Sequence, residues 1–302
     1  MNSPLNAPSK TLAGTGVSDL VMARAREPGR VAELAAARRR PTGLMGATGR
    51  LMLVAADHPA RGALRAGSDP LAMADRWELL RRLSVALSRP GVDGVLGTAD
   101  VIEDLLLMGA LDDKVVIGSM NRGGLAGTVF EIDDRFTGYD ADAIIRMGFQ
   151  GGKMLLRIDP DDPATADTLE ACGRAVSELA GHGLMAMVEP FISHRTEGRV
   201  RNDLSVEAVV RSATVAAGLG WSSAYTWLKL PVVDEMEPVL AATELPVLLL
   251  GGEVSPDQDE QFATWEKVLA NPHVRGMVVG RSLLYPPDGD VARAVDAVVG
   301  MM

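Results

Sequence analysis

Short apolar runs alternate along this chain with longer segments in which apolar residues recur every three or four positions. A run of roughly four to eight apolar residues is typical of a strand buried on both faces, and the longer pattern is typical of an amphipathic helix. Strands that alternate with helices predict a parallel sheet, and eight strands over roughly 250 residues predict a (β/α)8 TIM barrel. The eight runs are 51–56, 94–98, 115–119, 153–158, 184–190, 225–233, 246–252 and 276–281.

An open, doubly wound sheet is the alternative fold for the same alternation of strands and helices. A dinucleotide-binding sheet would be expected to carry a G-x-G-x-x-G motif after its first strand, and none follows the first run. The sequence therefore favours the barrel, in which functional residues gather where the strands end.

The segment before the first run has a different pattern. Residues 15–40 are rich in alanine and arginine at helical spacing, and Pro28-Gly29 divides them into two predicted helices. We expect these helices to cover the end of the barrel at which the strands begin. The chain is accordingly divided into an N-terminal helical extension, residues 1–45, and a barrel domain, residues 46–302.

Composition narrows the class of protein and its partners. With 302 residues, of which 47% are hydrophobic, the chain can bury one large core, and its formal charge of -10 argues against nucleic acid or an anionic membrane as a partner. No run approaches the roughly 18 apolar residues of a membrane helix, and the first residues lack the apolar core of a signal peptide. The expected location is the cytoplasm. The single Cys172 can form no internal disulfide.

One lysine, Lys229, lies inside the otherwise apolar run 225–233. A buried lysine is rare, and desolvation lowers its pKa below the reference value of about 10.4. The neutral amine is a nucleophile toward carbonyl carbon, which makes Lys229 a candidate catalytic residue. The alternative is that Lys229 buries only its stem and extends its amine to water.

Three further ionisable residues lie in or at the ends of other predicted strands. Inward side chains of a barrel form layers drawn from alternate strands, so Lys153 on the fourth strand can share a layer with Lys229 on the sixth. Asp57 after the first strand and Glu189 on the fifth belong to an adjoining layer. Two amines and two carboxylates are therefore predicted to converge. The alternative is that each carboxylate only forms a buried ion pair.

This set of groups predicts Schiff-base chemistry. One amine attacks a ketone or aldehyde to form a carbinolamine and then an iminium, which accepts electrons when a neighbouring carbon–carbon bond breaks. The second lysine disfavours the protonated form of the first, because like charges repel. Glu189 and Asp57 can transfer the protons, and their roles could be exchanged. The iminium makes a separate cofactor unnecessary, and none is expected.

The ends of the last two predicted strands are candidates for phosphate binding. Barrels commonly bind phosphate with the loops that follow strands seven and eight. Gly251, Gly252 and Gly280 allow close approach of backbone N–H groups to an oxygen, and Arg281 could add a bidentate contact. Paired glycines are also common at strand ends that bind nothing.

Histidine content decides whether a zinc site is expected. The four histidines are His58, His182, His194 and His273, and two of them, His182 and His273, precede strands and so fall at the opposite end of the barrel. Two remaining candidates are too few for a three-histidine zinc site, so no metal is predicted. His58 is expected to support the site or to donate a hydrogen bond to substrate.

Cationic residues after strands three and five indicate a second anionic end on the substrate. Arg122 follows the third strand, and the loop 193–201 after the fifth contains His194 and Arg195. In an acidic protein, such groups beside the phosphate loops favour an anionic ligand. The alternative is a solvated loop paired internally with Glu197 and Asp203.

The strand ends resemble those of the class I aldolases of the tagatose-bisphosphate and archaeal-type fructose-bisphosphate aldolase group. The motifs are Ala56-Asp57-His58-Pro59, Gly152-Lys153, Val188-Glu189-Pro190, Leu228-Lys229-Leu230-Pro231, Leu250-Gly251-Gly252-Glu253-Val254-Ser255 and Val279-Gly280-Arg281. The resemblance extends from the first strand to the end of the chain, and it implies that Lys229 forms the Schiff base. It also implies active-site positions for Asp57, Lys153 and Glu189. Lys153 stands early in its strand, so Arg157, two pleats further along the same face, is an alternative substrate contact.

The chain is also similar to an actinobacterial barrel family linked to inositol breakdown. That similarity implies a specific substrate, 2-deoxy-5-keto-gluconate 6-phosphate, cleaved to dihydroxyacetone phosphate and malonate semialdehyde. Its carboxylate would lie toward Arg122 or Arg195. The alternatives are a sugar-bisphosphate aldolase, a deoxyribose-phosphate aldolase, a transaldolase or a phosphosugar-binding barrel without catalysis. Membership of such families further implies a homo-oligomer.

Overall fold

The computed structural model describes residues 16–46 and 48–302, which form strands and helices in alternation. The strands are β1 Leu51–Ala55, β2 Gly94–Gly97, β3 Val115–Ser119, β4 Gly151–Ile158, β5 Met185–Thr196, β6 Arg199–Asp203, β7 Thr226–Leu230, β8 Val247–Leu250 and β9 Val274–Val279. The helices are α1 Val17–Arg26, α2 Arg30–Ala37, α3 Arg76–Ser88, α4 Ala99–Leu107, α5 Ala141–Met147, α6 Ala164–Gly181, α7 Val206–Ala217, α8 Met236–Ala241, α9 Gln258–Leu269, α10 Arg281–Leu284 and α11 Val291–Gly300, with a 3-10 turn at Pro59–Arg61.

Eight of the strands close into a parallel barrel. Their order around the barrel is β1, β2, β3, β4, β5, β7, β8 and β9, with β9 paired to β1. The predicted (β/α)8 TIM barrel is therefore confirmed. Predicted strands one to five are β1 to β5, and predicted strands six, seven and eight are β7, β8 and β9.

Burial on both faces explains why the strands are apolar throughout. Every residue of β1 and of β3 is buried. Alternate residues point inward and form a separate interior cluster, while the residues between them pack against the surrounding helices. The interior cluster consists of Leu51, Leu53, Ala55, Leu96, Val115, Ile117, Met185, Met187, Leu248 and Val278.

The inward position of Gly276 on β9 can be occupied only by glycine. Gly276 on β9 has φ 142°, and a Cβ built there would collide with the carbonyl oxygen of Leu51 on the adjacent strand. Both the conformation and the close approach of the two strands therefore require glycine.

The chain adds one strand that the sequence analysis did not predict. β5 continues past the barrel to Thr196 and pairs antiparallel with β6, so the predicted loop 193–201 is a hairpin. Glu197 and Gly198 connect the two strands, and both have positive φ, at 50° and 76°. Such a two-residue turn matches the twist of a hairpin. The outer half of the hairpin is exposed, so its sequence lacks the apolar signal by which the other strands were recognised.

The two predicted N-terminal helices are present as α1 and α2, interrupted at Pro28-Gly29. α2 packs against α4 and α5 in the outer helical layer. Leu44, from the segment that follows α2, packs against the interior cluster of the barrel. The helices thus join the outer helical layer, and the expectation that they cover the end at which the strands begin stays a prediction. The domain boundary at residue 45 stays a prediction.

None of the helices in the described part of the chain has the length and hydrophobicity needed to cross a membrane.

Candidate active site

Four strands place ionisable side chains at the same end of the barrel. Asp57 follows β1, and Lys153, Glu189 and Lys229 lie on β4, β5 and β7. The strand register places all three of these strand residues on the inward face, because Lys153 pairs with the inward Met187 and Lys229 pairs with the inward Leu248. The periodicity of the strands therefore directs these polar side chains into the barrel, above its apolar interior.

Glu189 connects the two lysines. Its Oε1 lies 2.6 Å from Nζ of Lys229, and its Oε2 contacts Nζ of Lys153. Nζ of Lys153 also lies 3.4 Å from Oδ2 of Asp57. The structure thus brings together the four residues that were singled out from the sequence. Their catalytic roles stay predictions.

The two lysines differ in their access to a cavity of about 590 Å³ at this end of the barrel. Lys229 and Glu189 line the cavity, whereas Lys153 is fully buried and is not among the lining residues. Lys229 is itself only 3% exposed. A ligand in the cavity can therefore reach the amine of Lys229, while the amine of Lys153 contacts Glu189 and does not line the cavity.

Burial and charge shift the pKa values of these groups. Burial lowers the pKa of Lys229, and the adjacent Glu189 carboxylate opposes that shift without cancelling it. Burial, together with the charge of Arg122, lowers the pKa of Lys153 well below its ordinary value. Burial alone would raise the pKa of Glu189, but Lys153 and Lys229 outweigh it and hold that pKa well below its usual range. The site therefore combines an ionised carboxylate with amines that release their protons readily.

Three side chains contact the carboxylate of Asp57, those of Lys153, Ser119 and Arg122. Ser119 Oγ donates to its Oδ2 at 3.1 Å, and Arg122 contacts the same oxygen. The other oxygen, Oδ1, is buried without a hydrogen-bond partner among the described residues, as is Nδ1 of His58, 3.8 Å away. His58 lines the cavity, whereas the fully buried Asp57 does not, so the unpartnered Nδ1 of His58 indicates a place for a ligand hydroxyl.

His58 and Arg122 are both affected by burial. Burial, followed by the charges of Arg281 and Lys229, lowers the pKa of His58 well below its ordinary value, so the imidazole is neutral. Burial lowers the pKa of Arg122 to about 10. The Arg122 guanidinium contacts Asp57 and also lines the cavity, and its Nε is buried without a partner among the described residues. Its expected contact with a substrate carboxylate stays a prediction.

The glycine-rich end of the cavity agrees with the sequence. Gly251, Gly252, Gly280 and Arg281 all line it. A Cβ on Gly280 would lie 2.6 Å from the carbonyl oxygen of Ala55, so this turn requires glycine. Nη1 of Arg281 lies 2.6 Å from Oε1 of the exposed Glu253, while its Nε is buried without a partner in the described chain. Arg281 therefore has a donor available to an anion in the cavity.

Arg157 lines the cavity but is engaged by protein groups. It forms a bidentate pair with the buried Asp134, at 2.8 and 2.6 Å, and donates to the backbone carbonyls of Gly124 and Glu131. Asp134 and Glu131 were not identified from the sequence, because they lie in an irregular loop without periodicity. Arg157 holds that loop against β4.

His194 and Arg195 are not brought to the cavity. His194 is exposed on the outer part of the hairpin. Arg195 donates to the carbonyl of Val129 at 3.0 Å and lies 3.5 Å from Asp162. The expectation that these two residues bind substrate is not supported, because the hairpin carries them past the rim.

Two cationic residues that line the cavity were absent from the candidates chosen by sequence. Arg61 ends the 3-10 turn after β1, and Arg201 lies on β6. Arg61 could have been recognised as a candidate because it lies in the short Pro59-Ala60-Arg61 turn immediately after a strand, where barrel sites form. Arg201 belonged to the cationic loop that drew attention to His194 and Arg195.

Within residues 16–46 and 48–302, no group of three or more His, Cys, Asp or Glu side chains is placed so that it could hold a metal ion. Cys172 is buried in α6, where burial raises the pKa of its thiol to about 12.

The fold and the cluster at the strand ends define this protein as a TIM barrel with a polar, lysine-containing cavity at the usual position. The chain belongs to the Cgl0159-like family, whose model matches residues 49–299. It is 55% identical to Cgl0159 from Corynebacterium glutamicum (Brevibacterium flavum), a crystal structure that covers 94% of this chain and 95% of its own, with a TM-score of 0.91. No match was found among proteins of curated function.

Two more distant structures share the fold. A Schiff base-forming fructose-1,6-bisphosphate aldolase is 19% identical, with a TM-score of 0.64 and coverage of 90% of this chain and 99% of its own. An archaeal fructose 1,6-bisphosphate aldolase is 18% identical, with the same TM-score and coverage of 90% and 98%. The resemblance to class I fructose-bisphosphate aldolases is thus matched by structural similarity. The links to tagatose-bisphosphate aldolases and to inositol breakdown stay predictions.

Proposed function

We propose that this protein is a class I aldolase that cleaves a phosphorylated keto sugar through a Schiff base on Lys229. The observation that carries the proposal is the pairing of a buried, cavity-facing lysine with a carboxylate that a second lysine keeps ionised. Binding alone needs no such proton-transfer group. The fold shared with Schiff base-forming aldolases supports the same conclusion.

Formation of the iminium would begin with loss of a proton from Lys229. Glu189 lies 2.6 Å from its Nζ and can accept that proton. The neutral amine attacks the ketone carbon, and one proton moves from its nitrogen to the carbonyl oxygen to form the carbinolamine. Glu189 returns the first proton to that hydroxyl, which leaves as water. Lys153 remains in contact with Glu189 and favours its ionised state before the attack.

Cleavage then moves electrons toward the iminium nitrogen. A carboxylate takes the proton of the hydroxyl two carbons from the iminium carbon, that hydroxyl becomes the carbonyl of the released aldehyde, and the electrons of the broken carbon–carbon bond form an enamine. We propose that Oδ1 of Asp57 accepts that proton, since it is buried without a partner among the described residues and lies 3.8 Å from Nδ1 of the cavity-lining His58. Protonation of the enamine carbon and hydrolysis of the new iminium release the ketone product and Lys229.

The phosphate of the substrate is proposed to lie at Gly251, Gly252 and Gly280. These glycines line the cavity, and Arg281 can donate to a phosphate oxygen through its unpartnered Nε. His58, held neutral beside Asp57, would donate or accept a hydrogen bond with a substrate hydroxyl.

The finer proposal concerns the substrate. On the strength of the sequence similarity, we propose 2-deoxy-5-keto-gluconate 6-phosphate as the first compound to test, with dihydroxyacetone phosphate and malonate semialdehyde as products. Faster cleavage of a ketose bisphosphate than of this keto acid would instead favour a sugar-bisphosphate aldolase. Homo-oligomer formation and a cytoplasmic location are further expectations of the same proposal.

Trapping the covalent intermediate tests the proposed function. Dihydroxyacetone phosphate and borohydride should fix a stable adduct on Lys229, located by mass spectrometry of the digested protein. Lys229→Ala should lose both the adduct and turnover, and Glu189→Gln should slow turnover by about 10²- to 10⁴-fold. The reaction should be unchanged by prior treatment with a strong chelator, since the iminium takes the electrons. A label on Lys153 would overturn the assignment, and absence of any adduct would favour a barrel that only binds phosphosugars.

A further inference from the structure

The cavity has a second cationic side, distinct from its glycine-rich end. Arg281 and the glycines follow β8 and β9, whereas Arg157 and Arg201 come from β4 and β6. Arg61 follows β1 but reaches toward the β3 side, because its carbonyl accepts from Ala126 N at 2.8 Å and its guanidinium lies 3.8 Å from Glu131. Lys229, on β7, lies on the wall between the two sides.

Charge on this second side is not balanced by the protein. Three guanidinium groups line this side, those of Arg61, Arg157 and Arg201. Arg157 binds both oxygens of Asp134. Arg61 and Arg157 both lie near the second carboxylate, that of Glu131, and Arg201 is paired with neither.

The carboxylate of Glu131 forms no hydrogen bond with the guanidinium group of Arg157 or of Arg61. Its Oε1 lies 3.7 Å from Arg157 and 3.8 Å from Arg61, beyond hydrogen-bond distance from both. Its Oε2 accepts from the backbone N–H of Gly127 at 2.9 Å. The side chain of Arg201 has no hydrogen bond or ion pair with any residue of the described chain, although Arg201 lines the cavity. Arg61 and Arg201 thus present guanidinium groups whose capacity to bind an anion is unused.

We infer that Arg61 and Arg201 bind a second anionic group of the substrate, at the end remote from the phosphate loops. The inference rests on the proposed function and narrows its substrate class to keto sugars with a negative charge at each end. It also replaces Arg122 and Arg195, which contact Asp57 and Asp162, as the residues that select such a substrate. A carboxylate and a phosphate offer the same oxygen pair to a guanidinium, so either can fill the subsite.

Three ligands that differ only at one carbon can test this subsite. They are fructose 1-phosphate, the keto acid in which its C6 hydroxymethyl group is oxidised to a carboxylate, and fructose 1,6-bisphosphate. Their dissociation constants would be measured by calorimetry in a Lys229→Ala background, which prevents turnover. Arg201→Ala and Arg61→Met should each weaken binding of a charged-tail ligand by about 10-fold or more, and binding of fructose 1-phosphate by less than about 2-fold.

Arg199→Ala is the matched control, because Arg199 is an exposed arginine on the same strand that does not line the cavity. It should leave all three constants unchanged. If the variants weaken binding of the carboxylate ligand more than binding of the bisphosphate, the second anionic group of the substrate is a carboxylate. If they weaken binding of the bisphosphate more, it is a phosphate.

Equal loss for all three ligands, no loss for any, or failure of both charged-tail ligands to bind at millimolar concentration would overturn the inference. Arg201 is exposed, so its variant should fold, and an unchanged melting temperature would verify that. The trapping reaction on Lys229 uses dihydroxyacetone phosphate, which has no second anionic end. A normal adduct with no effect of Arg61 or Arg201 would therefore disprove the subsite while leaving the proposed function intact.

Discussion

Burial and a neighbouring carboxylate act on the amine of Lys229 in opposite directions. Burial lowers its pKa, and Glu189 raises it through charge and a hydrogen bond at 2.6 Å. Glu189→Gln removes the second effect, so the pKa of Lys229 should fall further. A lower pKa leaves more neutral amine at a given pH, and the midpoint of adduct formation should therefore move to lower pH even though turnover is slower. Trapping of dihydroxyacetone phosphate with cyanoborohydride across a pH series measures that midpoint.

Glu170→Gln is the control for this prediction, because Glu170 is an exposed carboxylate paired with Arg174 on α6. Its midpoint should equal that of the unaltered protein. A midpoint near the reference pKa of about 10.4 in the unaltered protein would show that Lys229 is not desolvated, and a rise in Glu189→Gln would contradict the role given to the carboxylate.

At the scale of the residue, the sequence was sufficient to predict which side chains meet but not how they pair. The convergence of Asp57, Lys153, Glu189 and Lys229 follows from the inward positions of parallel strands, which alternate in a known way. The engagement of Arg157 by Asp134 does not follow, because Asp134 lies in an irregular loop whose path is set by the fold as a whole.

The loop of residues 120–140 between β3 and α5 is attached to the barrel wall by two side chains, Asn121 of the loop and Arg157 of β4. Asn121 exchanges hydrogen bonds with both backbone groups of Leu155 on β4, at 2.6 and 2.7 Å, as a strand residue would. Arg157 binds Asp134, which is 1% exposed, and two backbone carbonyls of the loop. These contacts give a loop without regular structure a fixed position over the cavity.

Arg157→Met tests that arrangement, since it keeps the apolar stem and removes the guanidinium. Asp134 would remain as a buried charge without its partner, so the free energy of unfolding should fall by about 3 to 5 kcal/mol. Adding Asp134→Leu removes that charge and should restore a large part of the loss. Urea denaturation of the two variants makes the comparison. If the double variant were no more stable than the single one, or if the single variant unfolded like the unaltered protein, the pair would not support the loop.

Prediction of the elements from sequence succeeded wherever burial dictated composition. The eight barrel strands are apolar because both their faces are covered. β6 and the outer half of β5 are polar and exposed, and their pairing depends on the turn at Glu197 and Gly198. A Glu-Gly pair is a weaker hairpin signal than Asn-Gly or Asp-Gly, so this strand could not be recognised from the sequence.

At the scale of the whole molecule, the N-terminal helices and the barrel are connected by buried arginine. Arg38, which ends α2, is 8% exposed and donates to the backbone carbonyls of Leu111, Lys114 and Gly148 at 3.3, 3.0 and 2.9 Å. These carbonyls belong to the turns that precede β3 and β4. The helices were predictable from their spacing, but this attachment was not, because backbone acceptors leave no mark on the sequence.

Arg38→Met should therefore destabilise the molecule as a whole. The substitution leaves buried carbonyl groups in two turns without their donor, and the free energy of unfolding should fall by about 2 kcal/mol or more. Arg39→Met is the matched control, since the Arg39 side chain is 68% exposed and its ion pairs in the described part of the chain are with the exposed Asp112 and Asp113. Thermal unfolding followed by circular dichroism should show a lowered melting temperature for Arg38→Met and an unchanged melting temperature for Arg39→Met. Equal melting temperatures for the two variants would mean that the helical extension adds nothing to the stability of the barrel through Arg38.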